Sequence, residues 1–135
     1  MLISSKNKND LIVLGLLSYT CHDEQVTTED LRELLEEYRQ NDHYELFLYR
    51  QEDSENFIGL LAIEENRDES HELNSVTLHR VAVIPSFNND QIDFQMYREL
   101  RAIYEGVPII GSMDTVDQLA TWNQQLEDEP VADEY

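Results

Sequence analysis

A chain of 135 residues with 29 Asp and Glu against nine Lys and Arg carries a formal charge of −20, and 41% of it is apolar. That length suits one domain able to bury roughly two-thirds of its unfolded surface. The charge excludes nucleic acid and anionic membranes, which are bound through clustered Lys and Arg, because the only lysines are Lys6 and Lys8 and the arginines are scattered singly.

Met1–Ile3 predicts a short first strand. Asn9 and Asp10 can cap a helix whose Leu11, Leu14 and Leu17 recur at helical spacing. Thr27, followed three residues later by Asp30, predicts a capping-box start to a second helix with Leu31, Leu34, Leu35 and Tyr38 on its apolar face and Glu33, Glu36 and Glu37 opposite. At Tyr44 the period changes to two: Tyr44–Arg50 predicts a strand and Gln51–Asn56 a polar turn. Phe57–Ile63 is then its hairpin partner, with Gly59 marking a bulge or a close backbone approach. Glu64–Glu72 is expected to be a charged loop, and Ser75–Ile84, rich in β-branched residues, a strand stopped by Pro85.

Ser86–Asp90 predicts a polar turn, and Ile92, Met96, Leu100 and Ile103 one face of a helix that Gly106 can end. Val107–Ile110 is a short apolar strand. Ser112 or Asp114 can cap a last helix carrying Val116, Leu119, Ala120 and Trp122. The expected division is one domain over residues 1–126 and an acidic tail over 127–135. The order is α+β: helices, a β-meander, a strand–helix–strand crossover that implies one parallel pair, and a final helix. Tyr44–Arg50, taken as an exposed edge, would be the place for a homodimer to pair.

The longest apolar run, Leu11–Leu17, is far short of the roughly 20 residues of a membrane span. No small-residue cleavage site follows it, so the expectation is a cytoplasmic protein without a signal peptide. The single cysteine, Cys21, excludes an internal disulfide and a multi-cysteine metal site. Its neighbour His22 is too close in sequence to be turned toward it as an activating base, so Cys21 is expected to be inert. His71, in Asp68-Glu-Ser-His-Glu72, and His22, before Asp23 and Glu24, lack zinc or calcium ligand spacing. His79 stands apart, because it lies in the strand just before the crossover, where it is either a strand-edge residue or a general base. Glu64 is the other candidate base. No phosphate-binding P-loop, dinucleotide-binding GxGxxG, nucleophile elbow or HExxH occurs.

A meander, then Ser75-Val-Thr-Leu-His-Arg-Val-Ala-Val-Ile-Pro85, then a loop opening a helix, resembles the GNAT family of acetyl-CoA-dependent N-acetyltransferases. Met1-Leu-Ile, Gly15-Leu-Leu-Ser18, Leu46-Phe-Leu48 and Val83-x-Pro85-Ser86 resemble the RibT-type members encoded in riboflavin-biosynthesis operons of Gram-positive bacteria. The resemblance implies acetyl transfer to a small-molecule amine. The backbone of Val81, Ala82 and Val83 would grip the pantetheine arm of acetyl-CoA, and the next turn would offer amides to its pyrophosphate.

That turn, R/Q-x-x-G-x-G/A in the family, reads Asn88, Asn89, Asp90, Gln91, Ile92, Asp93 here, with both glycines replaced. Asp90 and Asp93 place negative charge where the family binds phosphate, and no tyrosine between Gly106 and Pro130 offers a proton to the leaving thiolate. The alternative is therefore a non-catalytic domain of the same fold that has lost coenzyme A and binds a protein or small ligand. An acidic surface that occupies a basic partner is a third reading, drawn from the carboxylates between Asp23 and Glu72.

Overall fold

The computed structural model describes residues 1–6, 8–20 and 25–128, the side chains of residues 88–90 excepted. Cys21, His22 and the end of the acidic tail lie outside the described residues. Five strands form one sheet in sequence order: β1 (Leu2–Ser4), β2 (Tyr44–Arg50), β3 (Phe57–Arg67), β4 (Leu73–Val83) and β5 (Ile109–Gly111). The first three joins are antiparallel, and β4 with β5 is the expected parallel pair. Helices α1 (Asp10–Ser18) and α2 (Thr28–Gln40) cover one face, and α3 (Ile92–Ile103) and α4 (Val116–Glu127) the other. The fold is α+β. Among the described residues no helix is long and apolar enough to cross a membrane.

Coverage of both faces explains the sequence of the central strands. Leu46, Leu48, Leu60 and Ala62 pack under α1 and α2, while Phe47, Tyr49, Leu61 and Ile63 pack under α3 and α4. A strand buried on both sides needs a continuous apolar run rather than alternation. The α3 side is closed by Trp122 stacked on Tyr97 at 5.1 Å. Helix α2 starts as expected: Asp30 N–H donates to Thr27 Oγ1 at 3.1 Å and Thr27 N–H to Asp30 Oδ2 at 3.0 Å, satisfying two of the donors a helix start leaves open.

Several expectations are corrected. Glu64–Arg67 is strand rather than loop, held by a polar cross-strand ladder in which the Asn66 amide donates to the hydroxyls of Ser75 and Thr77. Tyr44–Arg50 is interior, since β1 pairs along it from Leu2↔Tyr49 to Ser4↔Phe47, so the sheet edges are β1 and β5. The turn after Pro85 is a 3-10 helix, Pro85–Asp90. Strand β5 starts at Ile109 instead of Val107. The α4 N-cap is Thr115, not Ser112 or Asp114, and Thr115 Oγ1 donates to Leu78 O in β4 at 2.7 Å instead of capping its helix. Asn9 caps α1 by backbone only, and Leu11, Ile103, Val116 and Ala120 are exposed, because each helix buries a narrower stripe than its apolar count suggested. Gly59 is confirmed as both features: the β2–β3 register shifts beside it, and a Cβ there would meet the Met96 sulfur of α3 at 2.5 Å.

One polar tie couples β3 to α3. The Tyr104 hydroxyl donates to Glu65 Oε2 at 2.6 Å, and Arg67 bonds the other oxygen at 2.9 Å. Burial, then the Glu65 carboxylate, push the Tyr104 phenol well above its ordinary value. Partial burial pushes the Glu65 carboxyl up, but its bonds to Tyr104 and Arg67 outweigh that and hold it below the ordinary carboxylate value. A lowered native value means that stability is present at neutral pH and lost as pH falls through it. Tyr104→Phe is therefore expected to cost about 1.5 kcal/mol at pH 7 in urea unfolding, with the difference from the parent shrinking below about pH 4. An undiminished difference in acid would contradict the tie.

Candidate functional site

The site is built where β5 ends before β4 does. Strand β5 pairs with β4 only from Val76↔Ile109 to Leu78↔Gly111. Beyond this the chain leaves through Ser112–Thr115 into α4, and the Ser112 N–H and the Thr115 hydroxyl both bond Leu78 O. Among the described residues, the C-terminal half of β4 therefore has a strand partner on the β3 side only. Ile84 N–H donates to Ile58 O, toward β3, so by strand alternation Ala82 also turns its backbone to β3, while Val81 and Val83 turn theirs to the open side.

Gly111 fixes this corner. A Cβ on it would lie 2.7 Å from Val116 Cα and 2.8 Å from Leu119 Cδ1, so α4 packs directly on the end of β5 only because no side chain stands there.

A bulge sits at the same point. In β4, Leu78 pairs with Ile63 and Arg80 with Ala62, which leaves His79 as the extra residue. Leu78 faces α3 and Arg80 faces α1 and α2, and the inserted residue turns His79 to Arg80's side. His79 Nε2 lies 2.9 Å from Glu64 Oε1. The two base candidates, one of them expected in a loop, are thus neighbours across β3 and β4. The His79 ring also meets the Tyr44 ring edge-on at 5.6 Å, and Tyr44 meets Tyr38 in the same way at 5.0 Å. Arg80 donates to the Tyr38 hydroxyl at 3.2 Å and the Thr20 hydroxyl at 2.9 Å. Burial raises the Tyr38 phenol above its ordinary value against the opposing pull of Arg80. Burial, then Glu64, raise that of Tyr44. Both phenols stay neutral near neutral pH.

A cleft of about 280 Å³ opens there, walled by Tyr19 and Thr20 after α1, by His79, Arg80 and Val81 of β4, and by Thr115 at the start of α4. Its chemistry is a half-exposed imidazole backed by a carboxylate, beside an open strand edge. That arrangement can hold an amide-bearing chain along β4 and take a proton at its side. Arg80, Tyr38, Tyr44 and Thr115 did not stand out in the sequence, although a lone arginine inside an apolar strand is a readable signal.

The turn expected to bind phosphate lies at the far end of β4. Asn88, Asn89 and Asp90 complete the 3-10 helix. Gln91 adopts a left-handed conformation, φ 60° and ψ 28°, which glycine takes without strain, and Ile92 is buried. The Asp93 carboxylate accepts from Phe94 N–H at 2.8 Å, and the Gln125 amide of α4 donates to Gln91 Oε1. The β4 edge therefore fits the pantetheine arm of coenzyme A, while the helix start does not fit its phosphates, because the chain's own carboxylate and a glutamine occupy it. Among the described residues no group of three His, Cys, Asp or Glu could hold a metal ion.

No protein-family profile matches the sequence and no curated protein matches it in sequence. The fold does match solved structures. An aminoglycoside acetyltransferase from an uncultured soil metagenomic sample superposes with a TM-score of 0.64 at 15% identity, over 100% of this chain and 89% of that one. An aminoglycoside N-acetyltransferase in complex with coenzyme A gives 0.65 at 15% identity, over 96% and 87%. Glucosamine-6-phosphate N-acetyltransferase from Arabidopsis thaliana gives 0.54 at 16% identity, over 91% and 90%. These are acetyltransferases of the GNAT fold, and the chain shares that fold.

Proposed function

We propose that the chain is an N-acyltransferase that moves an acyl group, acetyl in the simplest case, from a thioester to a small-molecule amine. The observation that carries this reading is the bulge that sets His79 against Glu64 across β3 and β4, next to the open edge of β4. An aliphatic amine is an ammonium at neutral pH and must lose a proton before its nitrogen can attack a carbonyl. With the Nε2–H of His79 donated to Glu64, the lone pair lies on Nδ1 and accepts that proton, and the carboxylate steadies the imidazolium that results. The N–H and C=O groups of Val81 and Val83 hold the amides of the donor's arm, and the Tyr44 ring packs edge-on against the base. The net charge of −20 raises the local concentration of a cationic acceptor, so the rate falls with ionic strength.

A tie to riboflavin metabolism and a cytoplasmic location rest on the short sequence matches and on composition. The acid-capped α3 start favours the second reading, a non-catalytic domain of the same fold that binds a protein or small ligand.

Thiol release separates the two readings. S-acetylpantetheine and acetyl-CoA are each offered with sisomicin, spermidine or glucosamine 6-phosphate. The acyltransferase releases thiol in an amine-dependent manner from at least one pair. Release no faster than in the absence of amine for every pair favours the binding domain.

A further inference from the structure

The two ends of the donor site disagree, and we infer that the protein recognises its donor by the pantetheine arm alone and draws no affinity from a phosphate-bearing tail at the start of α3. This rests on the acyltransferase reading and adds to it the chemical class of the donor: an acyl-pantetheine thioester, with Asp93 and Gln91 as the specificity-determining residues.

Three observations meet at that helix start. First, Asp93 Oδ1 accepts from Phe94 N–H at 2.8 Å, so a fixed negative charge already uses one of the few amides a helix start leaves open. A phosphate brought to the remaining amides would lie beside that charge. Second, Gln91 holds a left-handed backbone at φ 60° with a full side chain, and that side chain is tied to Gln125 of α4. The backbone there is barred from close approach, and the tie bridges α3 to α4 across the place where a diphosphate would pass. Third, no Lys or Arg stands in the sequence between the end of β4 and the start of α3, and the nearest cation of α3, Arg98, lies over the Phe94 ring at 5.8 Å. A helix start that bound a diphosphate would need the opposite of each.

By contrast, the arm's end of the site depends on backbone. The open groups of Val81 and Val83 keep their direction whatever the side chains are. Pantetheine, with two amides and no charge, can pair along them as an added strand. The donor's carrier is left open by this chemistry, since the same arm is found free, on a nucleotide and on carrier proteins.

Amide NMR titrations of the full chain with reduced pantetheine and with coenzyme A test the inference. In the parent chain both ligands are expected to shift the Val81 and Val83 amides, with affinities within about threefold, and neither to shift Ile92, Asp93 or Phe94. Asp93→Asn keeps an oxygen for Phe94 N–H and removes only the charge. It is expected to raise coenzyme A affinity about tenfold, or roughly 1.4 kcal/mol, bring shifts to the α3 start and leave pantetheine unchanged. Gln91→Gly is expected to add to the gain. Coenzyme A binding more than tenfold tighter than pantetheine in the parent chain, or no gain in Asp93→Asn, would overturn the inference. Absence of Val81 and Val83 shifts with both ligands would instead remove the acyltransferase reading beneath it. A carrier-protein source is distinguished from a free one by repeating the titration with acyl carrier protein bearing the same arm.

Discussion

His79→Gln is expected to lower the rate of amine acylation by roughly 10²–10⁴ while leaving the melting temperature close to that of the parent. Glutamine can still reach Glu64 with an amide N–H and can stand in the same bulge, so the fold loses little. It has no nitrogen that can accept the acceptor's proton, so the attack step loses its base. Glu64→Gln is expected to act more gently, because the imidazole still carries the lone pair and loses only the carboxylate 2.9 Å behind it. The pair of variants separates base from support. A His79→Gln chain as active as the parent would mean that the proton leaves by another route.

The second large effect is on stability, at Gly111. An added Cβ meets backbone atoms of Val116 at 2.7 and 2.9 Å and the Leu119 side chain at 2.8 Å. Backbone cannot rotate away as a side chain can, so α4 must lift from β5. Gly111→Ala is expected to cost about 1–3 kcal/mol, which in a chain of this size is a fall of roughly 3–12 °C in melting temperature. Lifting α4 also withdraws Thr115 from Leu78 O and changes the wall of the cleft. Activity should therefore fall at temperatures where the variant is still folded. Gly15 is the control, because a Cβ there meets nothing within 4 Å and the helical position prefers alanine. Equal melting temperatures for the parent and Gly111→Ala would contradict the close packing.

What the sequence made legible was what depends on neighbours in the chain. The capping box at Thr27 and Asp30 is a spacing of three residues, and the structure forms it as read. The parallel pair followed from a strand, a helix and a second strand in succession. What depends on distant partners was not legible. Nothing in Glu64–Arg67 looks like a strand until the hydroxyls of Ser75 and Thr77 stand across from Asn66. Tyr44–Arg50 looked like an edge because β1, which covers it, has only three residues.

The site shows the same division. His79 and Glu64 could each be singled out as candidate bases, but their contact requires a bulge that no residue type announces. The acids at Asp90 and Asp93 were visible in the sequence. That Asp93 bonds its own helix start, and that Gln91 is held left-handed against Gln125, needed the fold.

The mass of the product tests the central claim most directly. The parent chain and His79→Gln are incubated side by side with S-acetylpantetheine or acetyl-CoA and an amine such as sisomicin, and the amine is weighed. A bulge-positioned imidazole acting as the base predicts an acetylated amine from the parent, at least about a hundredfold less of it from His79→Gln, and no increase in mass without the protein. An amine of unchanged mass with every donor, or equal product from parent and variant, would contradict it.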